Sequence, residues 1–220
     1  MPNNPQKPNS TESLIQALVA DHKPCKRLWP VWMVALIILL VAVFYCFGCI
    51  TALYGISGHI AAIFKSVFLE LDILLSFIFA VLTLVIVLKS AIPGKEHYAK
   101  RGLKVAHAGL ISIIVLNIFF TTWQWPLTYS YLETAHCAFD ILLYALVPMV
   151  VTFYAIKRAA PVDIKRTGHL AIYSMTFFGY AATRITCQME DSVHSISAHL
   201  IPLIVFAMVS RFMGKKFLRW

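Results

Sequence analysis

Apolar residues run along this chain in six long blocks separated by short polar connections. The blocks lie at about 31–54, 67–88, 104–122, 138–156, 169–186 and 194–212. Each is long enough, or nearly so, to cross a hydrocarbon core of about 30 Å as an α-helix, which takes roughly 20 residues. The pattern predicts an all-α, polytopic membrane protein built as a bundle of six transmembrane helices. The first four blocks are the strong candidates. The fifth carries Gly179, Tyr180, Thr183 and Arg184, and the sixth carries Ser197, His199 and Pro202. Polar groups in hydrocarbon need partners, so these two blocks are expected to face protein rather than lipid.

Ahead of the first block lies a polar segment, residues 1–30. Pro2, Pro5 and Pro8 make its start disordered or extended. Asn9 then stands at a helix N-cap position with Glu12 three residues on. Leu14, Ile15, Leu18 and Val19 fall on one helical face, and Pro24 ends the run. A short amphipathic helix is therefore expected just before the membrane, either lying on lipid or docking a cytoplasmic partner. The first apolar block is too long for the core of a cleaved leader and no small-residue cleavage site follows it, so it reads as a retained span.

Composition supports the lipid reading. The 220 residues are 60% hydrophobic and only 13% charged, against about a quarter charged in a soluble domain. The formal charge is +9, but its placement matters more than its sum. The N-terminal segment and the second, fourth and C-terminal polar stretches together hold 17 Lys and Arg; the first, third and fifth connections hold only Lys65 and Arg184. Cationic connections stay inside, so both termini are assigned to the cytoplasm and the odd connections to the periplasm of a bacterial inner membrane. The third connection is rich in aromatics (Trp123, Trp125, Tyr129 and Tyr131) and reads as an interfacial belt. The cations are not interleaved with aromatics on a soluble face, which argues against direct nucleic-acid binding. No P-loop, G-x-S-x-G, H-E-x-x-H or dinucleotide turn occurs, so an enzyme is not expected.

Candidate chemistry concentrates in two places. Cys137 opens the fourth span and Cys187 closes the fifth, which puts both at the periplasmic boundary, where disulfides persist. His136, Asp140, Glu190, Asp191, His194 and His199 fall at the same level. Thiolate, imidazole and carboxylate together suit zinc or another transition metal. Two thiols alone suit a reversible disulfide, and a structural disulfide or two unrelated boundary cysteines are equally compatible with the sequence. Cys46 and Cys49 make a C-x-x-C inside the first span, where two small packing residues are the commoner meaning; Cys25 is a lone cytoplasmic thiol between Lys23 and Lys26. The second place is the second span, whose acids Glu70 and Asp72 raise the alternative of a small ion or solute transporter.

Several stretches carry a family resemblance. They are Cys137 with Pro148 inside the same span, then Lys157-Arg158-Ala159-Ala160-Pro161, then Thr186-Cys187-Gln188-Met189-Glu190-Asp191-Ser192, then the closing Gly214 to Trp220. With the segment Leu14 to Pro30, they make the chain resemble the NrsF family of six-helix membrane proteins that restrain ECF-type sigma factors. The resemblance implies an anti-sigma factor that holds its sigma factor at the cytoplasmic face. It implies release under heavy-metal or oxidative stress through two cysteines at the positions of Cys137 and Cys187. Gln188 departs from the proline that often follows the second cysteine in the family. Contacts to the sigma factor are expected from Leu14, Ile15, Leu18, Val19, Lys26, Arg27, Lys157 and Arg158.

Overall fold

The computed structural model describes residues 10–20, 28–55, 67–123, 134–187 and 192–218. Among these, all regular structure is helical: α1 (Ser10–Ala20), α2 (Val31–Leu53), α3 (Val67–Ser90), α4 (His97–Trp123), α5 (Thr134–Ala159), α6 (Ile164–Thr186), α7 (Ser192–His194) and α8 (Ile201–Phe217). A π-helical turn, Ser195–Leu200, joins α7 to α8. Asn9, proposed above as the cap of α1, lies outside the described residues.

Five helical stretches are long and apolar enough to cross a membrane: Val31–Leu53, Val67–Ser90, His97–Phe120, His136–Ala159 and Ser195–Gly214. Their outward faces carry large apolar side chains, among them Phe44, Phe119, Phe139, Val150 and Phe212, the last 77% exposed. An apolar belt of this extent has no place in water and is what a helical membrane protein presents to lipid.

Helix α6 is the odd one out. It is too polar to count among those five, yet it is the centre of the molecule. It packs against α3, α4, α5 and α8, and every residue from Leu170 to Arg184 is buried. Its Gly179, Tyr180, Thr183 and Arg184 thus meet protein on all sides. Small residues let the backbones close in, as membrane helices require in the absence of a hydrophobic drive between them. Gly168 of α6 meets the backbone of Gly214 in α8 so closely that a Cβ on either glycine would collide with the other helix. Gly179 makes a similar approach to the Ile141 carbonyl of α5.

Two prolines are absorbed without breaking a helix. Pro148 in α5 has no N–H for the Tyr144 carbonyl. The Cys46 thiol of α2 donates to that carbonyl at 3.8 Å, and the Tyr45 hydroxyl donates to the neighbouring Leu143 carbonyl at 3.0 Å. Cys46 is therefore a buried packing residue between α2 and α5. Pro202 stands at the start of α8. Its ring would clash with the carbonyl four residues back, and the chain relieves this by widening into the π-turn, in which the Ile201 N–H reaches back five residues to the Ile196 carbonyl.

The connection between α5 and α6 is short. Ala160 takes a positive φ of 53°, and Asp163 caps α6 by accepting from the Arg166 N–H at 3.0 Å. The hairpin places the Cys137 end of α5 beside the Cys187 end of α6, and leaves Lys157, Arg158, Lys165 and Arg166 at the far end. At about 1.5 Å per residue, those two ends lie roughly 30 Å apart.

Candidate functional site

Cys137 sits in the first turn of α5, and Cys187 caps the C-terminus of α6, where its own N–H donates to the Thr183 carbonyl at 2.9 Å. Fifty residues apart in sequence, the two sulfurs lie 3.8 Å from each other. That is well beyond a disulfide bond of about 2.05 Å. His194 enters from α7, its Nε2 at 3.5 Å from the Cys137 sulfur and 3.2 Å from the Cys187 sulfur. His199 comes from the π-turn, with its ring edge-on to that of His194 at a centroid distance of 5.1 Å. One ligand atom from each of these four residues falls within 4.8 Å of all the others.

Both imidazoles are buried and poorly satisfied: the Nδ1 of His194 makes no hydrogen bond, and the His199 ring has only the Cys187 thiol to interact with. Buried polar groups are almost always bonded, so a cluster of this kind asks for an explanation. The π-turn is what assembles it. Residues five apart on an α-helix point about 140° away from each other. In a turn closed by i→i+5 bonds they stand one above the other, and such turns gather at functional sites.

The other residues expected here are distributed differently. His136 is exposed and outside the cluster. Asp140 is buried but turned to α2, where it accepts from the Tyr54 hydroxyl at 2.6 Å. Glu190 and Asp191 lie outside the described residues, as do Lys26, Arg27, Cys25 and Lys65. No cluster of potential ligands forms around Cys46 and Cys49 among the described residues.

Next to the cluster lies an ion pair that the sequence reading missed. Arg184, three residues before Cys187, sets its Nε 2.9 Å from Oδ2 of Asp72 on α3, with the two side chains only 1% and 0% exposed. The Tyr180 hydroxyl donates to the same oxygen at 2.9 Å, and the Asn117 amide reaches Oδ1 at 3.3 Å. The Arg184 guanidinium also lies over the Phe68 ring. Arg184 is therefore not a charge of the fifth connection, as counted above, but a buried one neutralised within the bundle. Without it, the first, third and fifth connections keep only Lys65. Its partner is Asp72 and not Glu70, which is exposed. Asp72 is thus committed to Arg184, while Glu70 stands on the exposed side of α3.

At the opposite end, Lys157 and Arg158 are exposed. A cleft of ≈ 750 Å³ opens there between α4, α6 and α8, lined by His107, Asp163, Lys165, Arg166, His169 and Arg211 together with apolar and aromatic side chains. On α1, Leu14, Ile15, Leu18 and Val19 are all more than half exposed.

Fold and site together define the class: an all-helical bundle of membrane-crossing character with a thiol–imidazole cluster at one end and a cationic face at the other. The family described as "Negative regulator of sigma F" (NrsF) matches residues 18–220, nearly the whole chain, and the chain belongs to it. It is thus, by family, a negative regulator of a sigma factor. No curated protein and no solved structure matches the chain.

Proposed function

We propose that this chain is an anti-sigma factor anchored in the bacterial inner membrane by six helices, with both termini in the cytoplasm. It holds an ECF-type sigma factor against the cytoplasmic face and releases it when the thiols of Cys137 and Cys187 change state. The observation that carries the reading is the convergence of those two sulfurs, 3.8 Å apart on the neighbouring helices α5 and α6, at the end remote from the cations. The alternation of Lys and Arg supports the orientation. The central α6 serves as the sixth span because its polar groups are buried inside the bundle, with Arg184 paired to Asp72.

The sigma factor's seat is made of the exposed apolar face of α1 (Leu14, Ile15, Leu18 and Val19) together with the cations Lys26, Arg27, Lys157 and Arg158. An amphipathic helix with an uncovered face offers anchors at i, i+1, i+4 and i+5 for a hydrophobic groove. Two-electron oxidation by a disulfide-bearing oxidant would join the two sulfurs. The two protons and two electrons pass to that oxidant, which leaves as two thiols. The sulfurs then close by about 1.7 Å. Helices are stiff, so movement at one end of α5 and α6 is carried to Lys157 and Arg166 at the other. A preference of a few kcal/mol for the released state suffices to shift the population.

The test is capture of sigma factors on the tagged, membrane-extracted chain, with and without a disulfide oxidant. Retention of an ECF-type sigma factor under reducing conditions is expected, with loss on oxidation and no loss in Cys137→Ser. Failure to retain any sigma factor, or equal release from Cys137→Ser, contradicts the reading.

A further inference from the structure

The geometry points to a closed, four-coordinate metal site, Cys137–Cys187–His194–His199, for a divalent cation of the zinc and cadmium class. Its regulatory consequence rests on the sensor reading above; the binding itself rests on the geometry alone.

The spacing of the donors decides the matter. A tetrahedral ion with bonds of about 2.3 Å to sulfur and about 2.05 Å to nitrogen separates two sulfurs by about 3.8 Å and a sulfur from a nitrogen by about 3.6 Å. The sulfurs here lie 3.8 Å apart, and the two sulfur–nitrogen separations to His194 are 3.5 and 3.2 Å. Without an ion these distances are bridged by thiol hydrogen bonds to each other and to the His194 imidazole, and a metal ion takes the place of the thiol protons. The fourth ligand is His199, fully buried, with its ring turned to the Cys187 thiol and a ligand atom within 4.8 Å of the other three. A buried imidazole this poorly satisfied is costly, and a metal ion at the centre would satisfy one of its nitrogens.

Charge balance fits the surroundings. On coordination each thiol gives its proton to solvent, so a divalent ion with two thiolates and two neutral imidazoles forms a complex of zero net charge. That complex adds no charge to a bundle in which the nearest cation, Arg184, is already matched by Asp72. Four protein ligands and no vacant position describe a structural or sensing site rather than a catalytic one. Asp140 and His136 take no part: the first is held by Tyr54 and the second is exposed and outside the cluster.

Local sequence explains why the site exists. Pro202 forces the π-turn, the π-turn brings His199 over His194, and the α5–α6 hairpin supplies the thiols. Metal binding therefore ties the start of α8 to the ends of α5 and α6. Because a thiol engaged in a disulfide has no lone-pair charge to give a metal, occupancy and oxidation exclude each other.

The experiment uses the full chain in detergent micelles, freed of metal by a chelator under reducing conditions and titrated with cobalt(II) and then zinc(II). One ion per chain is expected, with a thiolate-to-cobalt charge-transfer band and the strong visible bands of tetrahedral cobalt, bleached by zinc. About two protons should leave per ion. His199→Ala should lower affinity by more than about tenfold, the low end of what even a supporting group's loss costs. His199→Cys should restore it, and His136→Ala should leave it unchanged, with helix content by circular dichroism confirming that each variant folds. Octahedral cobalt spectra, full affinity in a folded His199→Ala, or the same loss in His136→Ala overturns the site. Sigma-factor capture on the same preparations separates the two readings. Metal binding with no captured sigma factor removes the anti-sigma reading and leaves the site; capture that responds to thiol oxidation with no metal bound does the reverse.

Discussion

Replacing Asp72 with Leu strands the Arg184 guanidinium in the bundle. Arg184 is 1% exposed and its Nε–Oδ2 contact is 2.9 Å. At an effective dielectric constant of about 20, a unit pair at that distance is worth about 6 kcal/mol. Measured losses on breaking buried pairs run at about 3–5 kcal/mol, because the surviving charge stays desolvated. The lower range is the better guide, since the Phe68 ring still faces the guanidinium. Arg184→Met should cost a similar amount by stranding Asp72, although Tyr180 and Asn117 still bond it. The double variant removes both charges and should recover most of the loss, leaving about 1–3 kcal/mol for the Tyr180 and Asn117 groups deprived of their acceptor. A double-mutant cycle read by SDS-driven loss of helix in mixed micelles should then return a coupling above about 2 kcal/mol. Interhelical hydrogen bonds in membranes average only about 0.6 kcal/mol. A coupling at or below that value would refute the claim that a charge pair anchors α6 to α3.

Three further outcomes follow from the packing. Gly168→Leu places a side chain against the Gly214 carbonyl and should lower stability in the same assay by at least about 1–3 kcal/mol, the usual toll of overpacking. Pro202→Ala removes the ring that widens the helix. It should raise stability by up to about 3 kcal/mol while turning His199 off the cluster, so zinc affinity should fall as stability rises. A rise in both would separate the π-turn from Pro202. Mild oxidation of the metal-free chain should join Cys137 to Cys187 intramolecularly, read as a linked peptide pair by mass spectrometry. Zinc should slow this reaction by more than about tenfold, and equal rates would deny that the thiols hold the ion.

The long apolar helices were legible because lipid demands continuous apolar runs, which α2 carries almost unbroken and α3 carries around a few polar positions such as Asp72. The burial of α6 was also legible, since Gly179, Thr183 and Arg184 have no business facing acyl chains. What the sequence hid were pairings across the bundle. Asp72 and Arg184 are 112 residues apart, and an arginine near a span's end looks the same whether it snorkels or is buried. The cysteine pair and two of the metal candidates, His194 and His199, were visible in sequence as residues at one depth. His199 has no place beside His194 on an ordinary α-helix; only the turn forced by Pro202 puts it there. His136 and Asp140 shared the depth but not the direction, which depth alone does not specify.

Sidedness of the thiols is the claim on which sensing outside and holding inside both depend. In a chain with Cys25, Cys46 and Cys49 replaced by serine, a charged, membrane-impermeant maleimide is applied to chelator-treated spheroplasts and, separately, to inverted vesicles. Labelling of Cys137 and Cys187 in spheroplasts, with none from the inverted side, is the predicted result. Labelling confined to inverted vesicles would contradict it, because the cluster would then share a compartment with the sigma factor.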